Sequence, residues 1–100
     1  MTNLAITLAQ INPVVGDIAA NAVLIRNHWH ESQSDLIVFP ELALTGYMPE
    51  DLLLKPSYLD AVEKTLAQIV EESRDHKTVL VLPTPLRENG KLYNALRVIA

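Results

Sequence analysis

The stretch of sequence that decides the fold is residues 35–56, DLIVFPELALTGYMPEDLLLKP. Residues 36–39 are all apolar, which is typical of a strand covered on both faces, although a buried helix fits the same pattern. Pro40 has no N–H group to offer a sheet ladder, so the strand is expected to end there. Glu41 follows at once, and open α/β sheets place ligands and catalytic groups beyond the carboxyl ends of their parallel strands. Glu41 is therefore the leading candidate for a functional residue.

The segment before this stretch predicts a strand and an amphipathic helix. Residues 3–10 alternate, with large apolar side chains on one face and small side chains on the other. Asp17 suits the N-cap position of the helix that follows. The buried stripe of that helix is predicted to contain Ile18, Ala22, Ile25 and Trp29.

The segment after the stretch predicts a second helix and a hairpin. Ser57, with Asp60 three residues later, resembles a capping box that opens the helix. Residues 78–82, TVLVL, predict another strand, apolar after its first residue, which Pro83 is expected to stop. The Asn-Gly pair at 89–90 is a strong signal for a two-residue hairpin loop. The buried stripe of the second helix is predicted to contain Leu59, Val62, Leu66, Ile69 and Val70.

The bulk composition narrows the class of protein. The chain has 100 residues, 49% of them hydrophobic and 20% charged, as expected of one small globular domain. The net charge of −4 disfavours a nucleic-acid surface. No apolar run approaches the roughly 18–20 residues that span a bilayer, and the first ten residues do not resemble a secretory signal, so we expect a cytoplasmic protein without a membrane anchor. The lack of cysteine excludes disulfides and thiolate chemistry within this chain.

The quoted stretch resembles the first catalytic motif of the nitrilase superfamily of carbon–nitrogen hydrolases, which shares Phe-Pro-Glu at 39–41 and Gly-Tyr at 46–47. The continuation PEDLLLK at 49–55 is most similar to the amino-terminal glutaminase domain of the glutamine-dependent NAD synthetase branch. Residues 11–21, INPVVGDIAAN, are similar to the first strand and turn of the family, and residues 90–100, GKLYNALRVIA, to a later hairpin. The resemblance therefore covers nearly the whole chain.

The predicted element order is β-α-β-α-β-β. Right-handed crossovers would make the first three strands parallel, and the hairpin would add an antiparallel edge to a mixed sheet. The resemblance implies an α/β fold, the amino-terminal part of a nitrilase-type α-β-β-α sandwich with two helices on one face of the sheet. The second sheet of that sandwich is not encoded here. Residues 1–100 are thus expected to form a partial glutaminase domain, truncated before the catalytic lysine and cysteine of the family.

Family members hydrolyse an amide with a glutamate, a lysine and a cysteine, and the resemblance assigns the glutamate to Glu41. In that chemistry the cysteine is the nucleophile, the glutamate is the general base, and the lysine stabilises the oxyanion. The resemblance also implies that Tyr47 lines the glutamine site, although Tyr47 could equally be a wall residue that hydrogen-bonds through its hydroxyl. Lys91 follows the hairpin turn and is expected to be solvated, so it does not replace the missing lysine. The chain alone is therefore expected to be inactive.

Several residues have simpler interpretations. Spacing alone leaves open that Glu41 is a structural carboxylate that caps a helix or pairs with an arginine. Glu50 and Asp51 suit the positive end of a short helical turn better than a metal site. His28 and His30 lie two apart on a helix and point to different sides, so they are expected to be structural rather than to share an ion. No metal site is predicted.

The resemblance also implies cofactors, partners and a reaction. The three glycines are isolated and form no phosphate loop, so no cofactor is expected in this chain. In the family, ATP and Mg²⁺ act in a separate synthetase domain, which amidates nicotinic acid adenine dinucleotide with ammonia from glutamine. The implied partners are glutamine, the remainder of the polypeptide and further copies in a homo-oligomer. Two alternatives remain: another amidase of the superfamily, of the ω-amidase or carbamoylase type, and a non-catalytic α/β binding module, which fits the missing cysteine.

Overall fold

The computed structural model describes residues 3–41, 43–46 and 55–100, with the side chains of all of these except Arg87 and Asn94. The elements are β1 (Ile6–Leu8), α1 (Ile18–Glu31), β2 (Leu36–Val38), α2 (Pro56–Glu72), a 3₁₀ turn (Ser73–Asp75), β3 (Val79–Glu88) and β4 (Lys91–Ile99). Within these ranges the strands form one sheet in the order β1-β2-β3-β4. The first three strands are parallel and β4 is antiparallel to β3, which confirms the predicted mixed α/β sheet.

Both helices pack on one face of this sheet. Thr7, Ile37, Leu80 and Ile99 lie in register across the four strands and share the helix-facing side. The last three of them are buried in one apolar core with side chains of α1 and α2. The helix residues of that core are Ala22, Ile25, Trp29, Val62, Leu66 and Ile69.

The opposite face of the sheet, here called the outer face, is apolar and has no covering layer in the described part of the chain. Leu8, Val38, Val81 and Val98 lie in register across this face. Leu8 is 75% exposed and Val98 is 65% exposed, whereas Val81 in the third strand is only 9% exposed. The resemblance to an α-β-β-α sandwich predicts this arrangement, because each of its strands is apolar on both faces and helices cover only one face of the sheet.

Helix α1 forms as the sequence predicts. Asp17 is its N-cap and accepts a hydrogen bond of 3.0 Å from the N–H of Ala20. Trp29 is 1% exposed, and its indole N–H donates to the carbonyl of Thr78 at 2.9 Å. This bond links the last turn of α1 to the residue that precedes β3.

Helix α2 differs from the prediction at its start. It begins at Pro56 with Lys55 as N-cap, and no side chain caps it, so the predicted capping box of Ser57 and Asp60 is wrong. The physical reason is that proline has its φ already fixed near the helical value and lacks an N–H, which suits the first helical position. Val70 is also outside the buried stripe, at 51% exposed, because it lies at the margin of the face formed by the other four residues.

Strand β3 runs through the proline that was expected to stop it. The N–H of Val79 donates to the carbonyl of Asp35, and the carbonyl of Val81 accepts from the N–H of Phe39, so both residues direct their backbone groups toward β2. Pro83 follows at the same two-residue spacing and points the same way, but β2 has already ended at Val38. The prediction was wrong because this proline removes no bond from the β3–β4 ladder.

The hairpin between β3 and β4 confirms its signal. Asn89 has φ 53° and Gly90 has φ 75°, the pair of positive values that a type I′ turn requires. By contrast, β1 spans only three residues rather than the predicted 3–10. Its one neighbour in the sheet, β2, is itself three residues long and offers no further ladder partners.

Candidate active site

Glu41 lies where the sequence predicts it, in a turn beyond the carboxyl end of β2. The N–H of Phe39 makes the final sheet contact of this segment, 3.0 Å from the carbonyl of Val81. The N–H of Ala43 then donates to the carbonyl of Pro40 at 3.2 Å and closes a turn around Glu41. The described residues of this segment, 40–41 and 43–46, are here called the Glu41 turn. Its position at the end of a central parallel strand is one that α/β sheets use for ligands.

The surroundings of Glu41 are more open than the dry pocket in which a general-base carboxylate is expected to have its pKa raised toward neutrality. Phe39 is 2% exposed, and Ala43 and Leu44 are fully buried, yet the Glu41 side chain is exposed. The apolar neighbours point into the core between sheet and helices, so they anchor the turn rather than cover the carboxylate. The described part of the chain therefore forms the base of a site but not its walls.

A loop from the amino-terminal segment packs directly on the Glu41 turn. The N–H of Gly16 donates to the carbonyl of Thr45 at 2.9 Å. Gly46 has φ +80°, and a Cβ built on it would lie 2.6 Å from the Cα of Val15. A side chain at Gly46 is thus disfavoured both by its backbone conformation and by the close approach of the loop.

Asn21, on the first turns of α1, connects this loop to the Glu41 turn. It is completely buried, and its carboxamide makes three hydrogen bonds. The Oδ1 atom accepts from the N–H of Val14 at 2.7 Å, and Nδ2 donates to the carbonyl of Val14 at 2.8 Å and to that of Leu44 at 2.9 Å. Asn21 was not predicted to have a role in the site. The available signal was a polar residue next to the apolar stripe of α1.

Tyr58 approaches the same turn from α2. Its hydroxyl donates to the carbonyl of Thr45 in a long contact of 3.4 Å. Burial raises the pKa of the Tyr58 phenol above its ordinary value of 10.0. The neutral hydroxyl is therefore the form present at neutral pH, and it is the form that can donate this bond.

The histidines of α1 occupy separate environments, as predicted. The ring centroid of His28 is 6.4 Å from that of Phe39, whereas the Nδ1 atom of His30 is 2.9 Å from Nε2 of His76. The His76 ring also stacks on Trp29, with centroids 3.9 Å apart. The sequence analysis did not connect His30 with His76, because 46 residues separate them and no local pattern relates them.

Two cavities flank the end of α1, away from the Glu41 turn. One, of ≈ 520 Å³, lies between β1 and α1 and includes His28. The other, of ≈ 580 Å³, lies at the amino ends of β2 and β3 and includes His30 and His76. Glu41 lines neither of them. Because β2 and β3 are parallel, the second cavity and Glu41 lie at opposite ends of the sheet.

Some predicted features lie outside the described residues, namely Tyr47, Glu50, Asp51 and the short helical turn at 52–54. Lys91 is described, and it is exposed beside the hairpin as expected. Across the three described ranges, no group of three or more histidine or acidic side chains could hold a metal ion. Neither helix in those ranges has the length and apolarity needed to cross a bilayer.

Comparison with known proteins agrees with this geometry. The family described as carbon–nitrogen hydrolase matches residues 5–100. A glutamine-dependent NAD(+) synthetase of Aquifex aeolicus is 44% identical over 98 residues, which is 96% of this chain and 17% of that protein. The structure of a glutamine-dependent NAD+ synthetase from Acinetobacter baumannii, in complex with ADP, superposes with a TM-score of 0.82 at 34% identity. It covers 95% of this chain and 18% of that one.

A more distant structure shares the fold with lower similarity. An amidase from Nesterenkonia sp. superposes with a TM-score of 0.68 at 26% identity, over 85% of this chain and 33% of that one. The chain thus spans about a sixth of the length of the synthetases it resembles and a third of the amidase.

Proposed function

This chain belongs to the carbon–nitrogen hydrolase family, and from that premise we propose that it forms the amino-terminal part of the glutaminase domain of a glutamine-dependent NAD synthetase. The observation that carries the proposal is the 44% identity to a protein of that name over 96% of the chain. The position of Glu41 beyond the carboxyl end of β2 is consistent with it.

The proposed chemistry divides the reaction between this chain and the remainder of the polypeptide. A cysteine thiolate from the remainder attacks the carboxamide carbon of glutamine, and a lysine stabilises the oxyanion that forms. Glu41 takes the thiol proton that forms the thiolate and passes it to the departing ammonia, which leaves a glutamyl thioester on the cysteine. Glu41 then takes a proton from a water molecule that hydrolyses this thioester, and glutamate and the free thiol are released. Tyr47 is proposed to line the glutamine site. This chain therefore contributes the general base, and ammonia is the product passed on.

The outer face of the sheet supports the idea that a further layer completes the site. Leu8, Val98 and Leu96 are each more than half exposed on that face or its edge. A second sheet packed there would bury them and could enclose the carboxylate of Glu41, since water is displaced when two sheets pack face to face. The exposure of Glu41 is then a property of a site that lacks its walls.

The proposal assigns the cofactors to another part of the protein. Gly46 packs against the backbone of Val15 and Gly90 occupies the hairpin turn, which supports the proposal that phosphate groups bind in another part of the protein. ATP and Mg²⁺ are proposed to act in a separate synthetase domain that uses the ammonia. A cytoplasmic location and a homo-oligomeric parent belong to the same proposal, and cell fractionation and analytical ultracentrifugation test them.

A second candidate is another amidase of the family. The Nesterenkonia amidase supports it, because it shares this fold at 26% identity. The synthetase matches are higher in identity and in coverage of this chain, which favours the first candidate. The two differ in the amide that is hydrolysed, so the test below includes glutamine and a simple aliphatic amide.

The test joins this chain at Ala100 to the remainder of the Aquifex aeolicus protein, here called the chimera, and measures NAD synthesis with glutamine as nitrogen donor. Glu41→Gln should lower the glutamine-driven rate by about two to four orders of magnitude, because an amide cannot accept the proton. Free ammonium bypasses the glutaminase site, so the ammonium-driven rate should not change. Glu71→Gln is the matched control, since Glu71 is an exposed carboxylate that pairs with Arg74 on the surface of α2.

Two results would contradict the proposal. A Glu41→Gln chimera with undiminished glutamine-driven synthesis would remove Glu41 from the role of base. A chimera that hydrolyses the aliphatic amide but not glutamine would favour the second candidate.

A further inference from the structure

We propose that Asn21 is a positioning residue for Glu41, an inference that rests on the proposed function. Asn21 lies on α1, 20 positions before Glu41 in the sequence, and its side chain does not extend to the reacting atoms. It acts instead on the backbone of the Glu41 turn, through the carbonyl of Leu44.

Both polar atoms of the Asn21 carboxamide are hydrogen-bonded to the protein backbone. Both hydrogens of Nδ2 are used, one on the carbonyl of Val14 and one on that of Leu44, and Oδ1 accepts from the N–H of Val14. With no exposed surface, the side chain has no water to exchange these partners for. Neither an apolar side chain nor a carboxylate of similar size can reproduce this set of bonds.

These bonds join two segments that belong to no helix or strand. Val14 belongs to the loop before α1, and Leu44 belongs to the Glu41 turn. The N–H of Gly16 donates to the carbonyl of Thr45 at 2.9 Å. The hydrogen bonds of the Asn21 carboxamide keep these two backbone segments aligned for that contact. The loop and the turn therefore move as one unit with the first turns of α1.

The backbone connects that unit to Glu41. Only two residues separate Leu44 from Glu41 in the sequence, and the N–H of Ala43, the residue before Leu44, donates to the carbonyl of Pro40, the residue before Glu41. We therefore expect a shift of the Leu44 carbonyl to displace the backbone of Glu41. Because general-base catalysis requires hydrogen-bond contact with the donor, a displacement of about 1 Å can lower the rate by about two orders of magnitude.

The experiment uses the chimera defined above and the variant Asn21→Leu. The glutamine-driven kcat should fall by at least about tenfold while the KM for glutamine stays within about threefold, because the base is displaced but the substrate contacts remain. The ammonium-driven rate should not change. Ile69→Ala is the control, since Ile69 is equally buried but lies in α2 on the core side. It should leave the glutamine-driven kcat within about twofold of the parent.

A second measurement on the same proteins does not depend on activity. Hydrogen exchange of the Gly16 amide, which is bonded to Thr45, should accelerate by at least about tenfold in Asn21→Leu and should not change in Ile69→Ala. Asn21→Ser provides a second variant if the leucine prevents folding, because its smaller polar side chain leaves room for water to reach the freed groups. The same two changes, in kcat and in exchange, are expected for it.

Different results reject different claims. If the parent chimera uses glutamine and Glu41→Gln abolishes this, but neither Asn21 variant changes kcat, the positioning role is wrong and the proposed function stands. The same holds if Ile69→Ala lowers kcat as much as Asn21→Leu does. If the parent chimera does not use glutamine, the proposed function falls, and unchanged Gly16 exchange would also reject the structural coupling.

Discussion

At the scale of single residues, the turn that carries Glu41 is held by contacts from three other segments of the chain. Gly46 accepts the close approach of the Val15 backbone, and Asn21 bonds the carbonyl of Leu44. Tyr58 reaches the same turn from α2. The turn that carries Glu41 is therefore fixed from three directions, while the carboxylate itself faces outward.

Substitutions at two glycines separate the effect of steric crowding on stability from the effect of backbone conformation. Gly46→Ala and Gly90→Ala both place a Cβ at positive φ, which disfavours each by about 1–2 kcal/mol. Only Gly46 also meets a backbone atom, at 2.6 Å, whereas nothing lies within 4 Å at Gly90. We therefore expect a loss of stability of about 3 kcal/mol or more for Gly46→Ala, against about 1–2 kcal/mol for Gly90→Ala. Urea denaturation of the dilute chain measures both, and equal losses would show that the loop does not press on the turn.

At the scale of elements, β3 shows how a strand can contain prolines without losing its ladder. Its odd-numbered residues direct their backbone groups toward β2, which ends early, and its even-numbered residues direct theirs toward β4. The position of a proline in this strand therefore matters more than its presence. The strand is continuous across ten residues, which gives the hairpin its length.

The alternation of backbone direction between odd- and even-numbered residues of β3 can be tested by comparing a proline at position 83 with one at position 86. Pro83→Ala should change the free energy of unfolding by less than about 1 kcal/mol, because no ladder bond depends on that nitrogen. Leu86→Pro removes an N–H that faces β4 opposite Tyr93 and should destabilise the chain by about 2 kcal/mol or more. Circular dichroism during urea denaturation measures both changes. Losses of similar size would contradict the assigned direction of the backbone groups.

At the scale of the whole molecule, the described residues cover the sheet on one face only. The helix-facing row is buried, while the ends of the outer-face row are largely exposed. An exposed apolar sheet face and the edge of β4, which pairs with no further strand in the described ranges, are both surfaces on which protein chains associate. The described chain thus presents the surface that, under the proposed function, the remainder of the domain covers.

We expect the isolated chain to self-associate and to bind the dye ANS through the outer face. Val98→Lys, which places a charge on that face, should lower both signals, because a buried lysine without a partner disfavours association. Val23→Lys is the control, since Val23 is 51% exposed on α1, away from the outer face. Light scattering and ANS fluorescence measure the outcome. A parent chain that stays monomeric and binds no ANS would contradict the expectation.

The sequence by itself determined the features that depend on neighbouring residues. The apolar periodicity of α1, the run at 36–39 and the Asn-Gly pair at 89–90 each specify a local conformation, and the strand directions follow from crossover connections between the first three strands and a hairpin to the fourth. The motif around Glu41 was recognised for the same reason, because it is contiguous. Its place at the end of β2 needed only the strand prediction.

Only the tertiary structure decided which distant groups meet. The bond from Asn21 to Leu44 spans 23 positions, and that between His30 and His76 spans 46. Tertiary structure also decides whether Pro83 removes a ladder bond, because that depends on where β2 ends. It decides the exposure of Glu41 as well, because that depends on how much of the sheet is covered. The physical reason is that a local pattern constrains the dihedral angles and burial of its own segment. The partner of a buried carboxamide, a ring or a backbone nitrogen is set by packing between segments.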